Sequence, residues 1–362
     1  MRSLTAAVFM LILTQTALAA PKVETIAEGL EHPWSLAFMP DGGMLVTERP
    51  GRIRVVRNGA MSAPIQGIPG VAAEGQGGLL DIALDPDFAN NRIVFFTFSE
   101  PRPEGGNATG LARAKLSADE AALTDMSVIF RQQPAVDSSA HFGGRIAIAP
   151  DGNLFVTLGE RYVMRESAQD LGTHLGKVVR ITKDGKPAPG NPFIGKPGAL
   201  PEIWSLGHRN AQGAAIEPST GLLWTVEHGA QGGDEINRPE AGKNYGWPVI
   251  TYGKDYNGSK IGEGTAKDGM EQPLHYWDPS IAPSGMAFYE GALFPGWKGD
   301  LLIGALKGQK LVRLDVEDGK IVGEEAMLED LGERIRDVRI GPDGAVYLLT
   351  DNEAGRVLKL TP

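Results

Sequence analysis

HFGGRIAIAPDGNLFVTLGE, residues 141–160, reads as a β-hairpin. Residues 145–149 alternate toward a Pro150-Asp151-Gly152 corner, where proline pre-sets the first φ and glycine accepts a positive one. Leu154–Leu158 then return as an apolar run rich in β-branched and aromatic side chains. The same sentence recurs as WSLAFMPDGGMLVTE from Trp34, LDIALDPDF with FFTF after it from Leu80, and GAAIEPSTGLLWTVEHG from Gly213. Two more copies are SGMAFYEGALF with GDLLIGAL from Ser284, and RDVRIGPDGAVYLLTDN from Arg336. The corners fall near Pro40, Pro86, Pro150, Pro218, Glu290 and Pro342. Their intervals are close to the roughly 40–50 residues of a four-stranded propeller blade, stretched by loops between Pro86 and Glu290. Sandwiches and barrels are also built from hairpins, but they seldom repeat one turn sentence this often. The sequence predicts an all-β fold, a six-bladed β-propeller of four-stranded antiparallel blades.

Working outward, residues 1–19 read as a signal peptide: Arg2 gives a positive start, residues 4–13 an apolar stretch, and Ala17-Leu18-Ala19 a small-x-small cleavage site. That stretch is too short to span about 30 Å of hydrocarbon. A periplasmic or secreted protein without stable membrane insertion is expected, with residues 20–362 forming a single propeller domain. The chain has no cysteine, which excludes disulfides and thiolate metal ligands. Its formal net charge of −10 argues against a nucleic-acid or anionic-membrane surface, so any convergence of cations calls for a ligand. Glycine (48) and proline (25) are abundant without a collagen period, as many tight turns and few helices require. Residues 22–27 alternate as a strand ahead of the first repeat, and residues 356–360 form an isolated strand at the end. Pairing the two would complete the last blade and remove an open edge. Segments 99–110, 161–173, 184–201 and 253–270 read as loops, where a propeller usually carries its site.

Three places hold residues suited to chemistry. His141 precedes Gly143-Gly144, where missing side chains let a ligand or a second backbone come close, and it reads either as a structural histidine or as a base. GHRNAQG, residues 207–213, is followed by EHGAQGGDEIN, residues 227–237, which concentrates carboxylates and glycine-freed carbonyls. Such hard oxygen donors suit Ca²⁺ better than Zn²⁺, although a solvated acidic turn has the same composition. Arg334 and Arg336 are two residues apart and share a face if extended, and Lys307 holds the corresponding edge one blade earlier. Each reads alone as a surface charge, but with Arg209 they make a set that a polyanionic ligand would explain.

The motifs EGQGGLLDIALDPDF, HFGGRIAI, IWSLGHRNAQG, EHGAQGGDEIN, NYGWP, IAPSGMAFY and RIRDVRIGPDG, in this order and over nearly the whole chain after residue 19, resemble the glucose/sorbosone dehydrogenase family of soluble quinoproteins, most of all its periplasmic aldose sugar dehydrogenases. The resemblance implies oxidation of the anomeric carbon of an aldose sugar to a lactone, with pyrroloquinoline quinone (PQQ) and Ca²⁺ as cofactors. An external electron acceptor, a cytochrome, quinone or artificial dye, is implied as well. By motif position Lys307, Arg334 and Arg336 meet cofactor carboxylates, and Gln76 and Asn210 hydrogen-bond the cofactor. His141 is the general base, and Arg209 lies by the reactive carbonyl. Gly229 and Ala230 match positions that offer carbonyls to Ca²⁺, Asp234, Glu235 and Tyr245 match a second calcium region, and Trp277 could border the sugar. Ala140 stands where glucose-specific members carry an acidic residue, so narrow glucose specificity is not expected. The rival reading is a calcium-dependent propeller lactonase or esterase, which would ring its channel with carboxylates and leave the cations without a role.

Overall fold

Each of the six turn sentences becomes the corner between the first two strands of a four-stranded antiparallel sheet. The computed structural model describes residues 21–362, so the signal peptide read from residues 1–19 lies outside the described residues. Five sheets are formed by four strands consecutive in the chain. The sixth joins Ile335–Ile340, Val346–Thr350 and Gly355–Thr361 to the strand Lys22–Leu30, with Lys22 opposite Thr361 and Leu30 opposite Gly355, as the pairing of the two end strands predicts. The innermost strands Pro33–Phe38, Leu79–Leu84, Gly143–Ile148, Ala211–Ile216, Pro283–Phe288 and Ile335–Ile340 touch one another in that order, and the last returns to the first. The result is a closed six-bladed propeller.

Second strands carry the driving force. Leu154–Leu158 is buried at every position because neighbouring blades cover both of its faces, so it reads as a continuous apolar run rather than an alternating one. Between the first two blades Leu45, Ile53, Ile82, Phe96 and Phe98 form one apolar cluster, and Trp224, Ile236, Met286 and Ile303 form its counterpart between the fourth and fifth. Removing such surface from water stabilises by roughly 25 cal/mol per Å². Helix is scarce among the described residues: one turn at Phe88–Asn91 and three short 3₁₀ segments. Segment 99–110 departs from its loop reading, since strand Ile93–Pro101 pairs with Asn107–Leu116 down to Pro101 opposite Asn107. The backbone ladder continues through these polar residues, which a reading from side-chain hydropathy passes over.

Around the axis the innermost strands are joined by charge. Arg145 is fully buried and reaches Asp337 at 2.8 Å and Asp81 at 3.3 Å. Asp81 also accepts from the Ser35 hydroxyl at 2.5 Å, Arg339 Nη2 at 2.8 Å and the Ile146 amide at 2.8 Å. Arg145 Nε donates to the Gln212 carbonyl at 2.6 Å, and its guanidinium lies 4.1 Å from the Trp34 ring centroid. Five of the six blades meet in this network.

Candidate active site

A cavity of about 610 Å³ lies on the propeller axis, because every blade supplies part of its wall. Trp34 and Arg49 come from the first blade, Gln76 and Leu80 from the second, and Phe142 and Gly143 from the third. Asn210, Gln212 and His228 of the fourth, Ala282 and Leu306 of the fifth, and Arg334 and Arg336 of the sixth complete it. A second cavity of about 660 Å³ is walled by Glu160, Tyr162, Arg209, Trp247 and Tyr256 among others.

His141 is in the wall of neither, but its chain neighbours and ring partners set it between the two. Its neighbours Phe142 and Gly143 line the first cavity, while the partners of its ring, Glu160 and Tyr162, line the second. His141 is 4 % exposed, with Nδ1 2.9 Å from Glu160 Oε1 and the ring edge-to-face with Tyr162. The backbone is held in the left-handed region at φ +51°, with its amide donating to Gln76 Oε1 at 2.9 Å. Glycine makes this approach possible: a Cβ on Gly159 would stand 2.0 Å from the His141 carbonyl oxygen. Arg161 clamps the same loop from behind, donating to the carbonyls of Ala140, Ser138 and Asn107.

With Nδ1 engaged by a carboxylate, Nε2 is the ring nitrogen left without a hydrogen-bond partner among the described residues. Burial lowers the pKa of His141 below its ordinary 6.5, and the positive charges of Arg209 and Arg161 push the same way against Glu160. A base must be neutral to accept a proton. kcat/KM should therefore persist as pH is lowered through 6.5 and be lost only further into acid; an acid limb centred above 6.5 would contradict the base role.

Arg209 is 3 % exposed, and its guanidinium reaches the His228 carbonyl and the Tyr256 hydroxyl, both at 3.3 Å. Glu227 fixes the corner that presents it, taking the Arg209 amide at 2.6 Å and His208 Nδ1 at 2.9 Å. Asn210 Oδ1 accepts from the Gly143 amide, and Gln212 bridges Gly143 to Arg336. Arg336 Nη2 and Arg334 Nη2 share Asp351 Oδ2 at 2.8 and 3.1 Å. Burial pushes the Asp351 carboxyl upward, but the two guanidiniums outweigh it and hold it below the carboxylate range.

Four expectations need adjustment. Trp277 borders neither cavity; it pairs with Asp234 in the outermost strand of the fourth blade, sinks its ring into the apolar cluster with Ile281 and Leu314, and donates Nε1–H to Glu324. The aromatic residues at the second cavity are Tyr162, Trp247 and Tyr256 instead. Asp234 is spent on its own loops, accepting from the Gly229 amide, the Ser280 hydroxyl and the Ile281 and Ala282 amides, so it organises the turn rather than offering free lone pairs. Lys307 is exposed beside Leu306 rather than in the cavity wall. Tyr245 turns its hydroxyl to the Arg238 carbonyl and stacks on His208.

Glu235 behaves otherwise. It is half-buried beside Glu227 around a small cavity that Gly229 and Tyr245 also line, and desolvation together with the Glu227 charge pushes its carboxyl up to about 8. Ala230 lies next in the chain, in the wall of the second cavity. Among the described residues no three His, Cys, Asp or Glu side chains converge as a metal site. A cation here would be met by few carboxylates and by backbone oxygen.

Sequence reasoning passed over Glu160 and Arg49, and gave Glu227 and Gln212 no role of their own within the motifs that hold them. Glu160 could have been found: Gly143 pairs with Leu158 in the hairpin, and continuing that register two residues outward sets 141 against 160.

Residues 30–359 match the family described as Glucose / Sorbosone dehydrogenase. The chain is 47% identical over 348 residues to the aldose sugar dehydrogenase YliI of Escherichia coli (strain K12), covering 95% of this chain and 94% of that protein. It is 29% identical over 419 residues to quinoprotein glucose dehydrogenase B of Acinetobacter calcoaceticus, covering 93% and 86%. The PQQ-bound form of aldose sugar dehydrogenase from Streptomyces coelicolor superposes with a TM-score of 0.78 at 32% identity, over 95% of this chain and 99% of that one. With its motifs, its propeller and a match running almost end to end, the chain belongs to the glucose/sorbosone dehydrogenase family.

Proposed function

We propose that the protein is a PQQ- and calcium-dependent aldose sugar dehydrogenase that oxidises the anomeric carbon of its sugar to a lactone. One observation carries the reading: a buried base stands between an axial cavity rich in guanidinium groups and a second, aromatic-walled cavity. The first fits a planar tricarboxylate quinone. Arg336 Nε is buried without a partner, and Gln76 and Asn210 offer amides at the wall. When bound, the quinone supplies the acceptor for the anomeric hydride and its two electrons.

The remaining work belongs to the chain. Glu160 orients His141, whose Nε2 takes the proton of the anomeric hydroxyl, and Arg209 sets a fixed positive charge in the wall of the second cavity. Tyr162 and Tyr256 give the sugar ring an apolar face to lie on. Ca²⁺ would be held by the carbonyls of Gly229 and Ala230, and a cation beside Glu235 would offset the desolvation and the Glu227 charge that raise its carboxyl. A cytochrome, quinone or dye would take the electrons onward. Residues 1–19, read as a signal peptide, support a periplasmic or secreted location.

The purified protein should reduce dye with an aldose after addition of PQQ and Ca²⁺, and NAD should not replace the quinone. Sugar oxidation with NAD alone would overturn the reading. Arg336→Ala should weaken PQQ binding by about 10–150-fold, the worth of a desolvated charge-assisted hydrogen bond of roughly 1.5–3 kcal/mol. Arg334→Ala should cost less, because that side chain is 46% exposed. Equilibrium titration of the two variants checks the order.

A further inference from the structure

We infer that Arg49 is a further cofactor-binding cation, the guanidinium with which the first blade grips a carboxylate of the quinone. The inference rests on the quinone reading above.

Arg49 lines the axial cavity with Arg334 and Arg336, so three guanidiniums face one space. They are not equivalent. Arg334 and Arg336 share Asp351, which offsets one of their charges inside the protein. Arg49 makes no side-chain hydrogen bond and no ion pair among the described residues, and the carboxylates near it in the fold are already taken. Glu48 is held by Arg52 at 2.9 Å, Arg54 at 2.8 Å and the Glu31 amide at 2.7 Å, and Asp351 is held by the other two arginines and His32.

Its aim is set by the chain. The Arg49 amide donates to the His32 carbonyl, and its own carbonyl accepts the Leu79 amide at 2.9 Å, which ties the residue to the EGQGGLLD segment. Gly78, at φ +140°, leaves room for the stem: a Cβ there would stand 2.5 Å from Arg49 Cγ and 2.1 Å from the Arg49 carbonyl oxygen. The stem therefore rests on the second blade while the head remains in the cavity wall. Arg49 also adds its field to that of Arg336, working against the Arg336 charge. A cavity holding this much uncompensated positive charge favours a ligand with more than one carboxylate, and a guanidinium without a protein partner pairs with it without first breaking an ion pair.

The test is equilibrium binding of PQQ to the protein freed of cofactor, with Ca²⁺ present, read by quenching of tryptophan fluorescence and confirmed by dialysis. Arg49→Gln should raise Kd by about 10–100-fold, and Arg49→Lys should recover part of the loss because it restores the charge without the fork. Thermal unfolding without PQQ should be close to the parent for both variants. An Arg49→Gln protein that titrates like the parent would overturn the inference and leave the quinone reading standing. A parent protein that takes up no PQQ would overturn both.

Discussion

Turnover of the His141→Gln protein should fall by about 10²–10⁴-fold, while its affinity for PQQ stays near that of the parent. Glutamine keeps the size and part of the hydrogen bonding of histidine but accepts no proton near neutral pH. The geometry sharpens the expectation, because Nδ1 is occupied by Glu160 at 2.9 Å and only Nε2 is left to face a sugar. A packing role makes the opposite forecast. A histidine with 4 % exposure that merely filled space would, on replacement, lower the melting temperature and leave turnover per bound quinone near normal. Single-turnover reduction of bound quinone by sugar reports the chemical step without the external acceptor. An unchanged rate in that measurement would remove His141 from the mechanism.

Asp81→Ala should cost about 3–5 kcal/mol of stability, the usual penalty for stripping one partner from a buried ion pair. Arg145 would keep Asp337, but the Ser35 hydroxyl, the Arg339 guanidinium and the Ile146 amide would all lose an acceptor in the centre of the ring. Asp81→Asn should fall between the two, since it keeps an oxygen acceptor and loses the charge. Chemical denaturation measures both. A loss below about 1 kcal/mol for the alanine variant would show that Asp337 alone can hold Arg145.

The fold was legible because a propeller writes its corner six times, and because residues 22–27 and 356–360 alternate with no neighbour of their own to pair with. The charged half of the candidate site was legible in part: Arg334 and Arg336 stand two apart where the strand Ile335–Ile340 begins, and both line the cavity. Arg49 was not, since nothing in a lone arginine after a strand says that Glu48 is already claimed by Arg52 and Arg54. Trp277 failed for a related reason. Its position near the family's motifs suggested a sugar, but an indole with an apolar body and one donor also fits a seam between blades with Glu324 at its rim, and that is where strand pairing carries it. Asp234 shows the limit of composition: a carboxylate in a glycine-rich turn looks like a ligand until its lone pairs are counted against nearby amides.

The sheet that joins Lys22–Leu30 to Gly355–Thr361 makes the molecule check its own completeness. Five blades can form from hairpins as the chain emerges, but the sixth waits for residues separated by nearly the whole sequence, and such distant pairing is the slow part of folding. A chain that stops early, or loses its last strand to a protease, has no partner for its first strand and leaves Lys22–Leu30 and Val346–Thr350 each with an unpaired edge that Gly355–Thr361 would have filled. Truncated copies are thereby exposed to degradation or aggregation, and only a full-length chain reaches the closed ring.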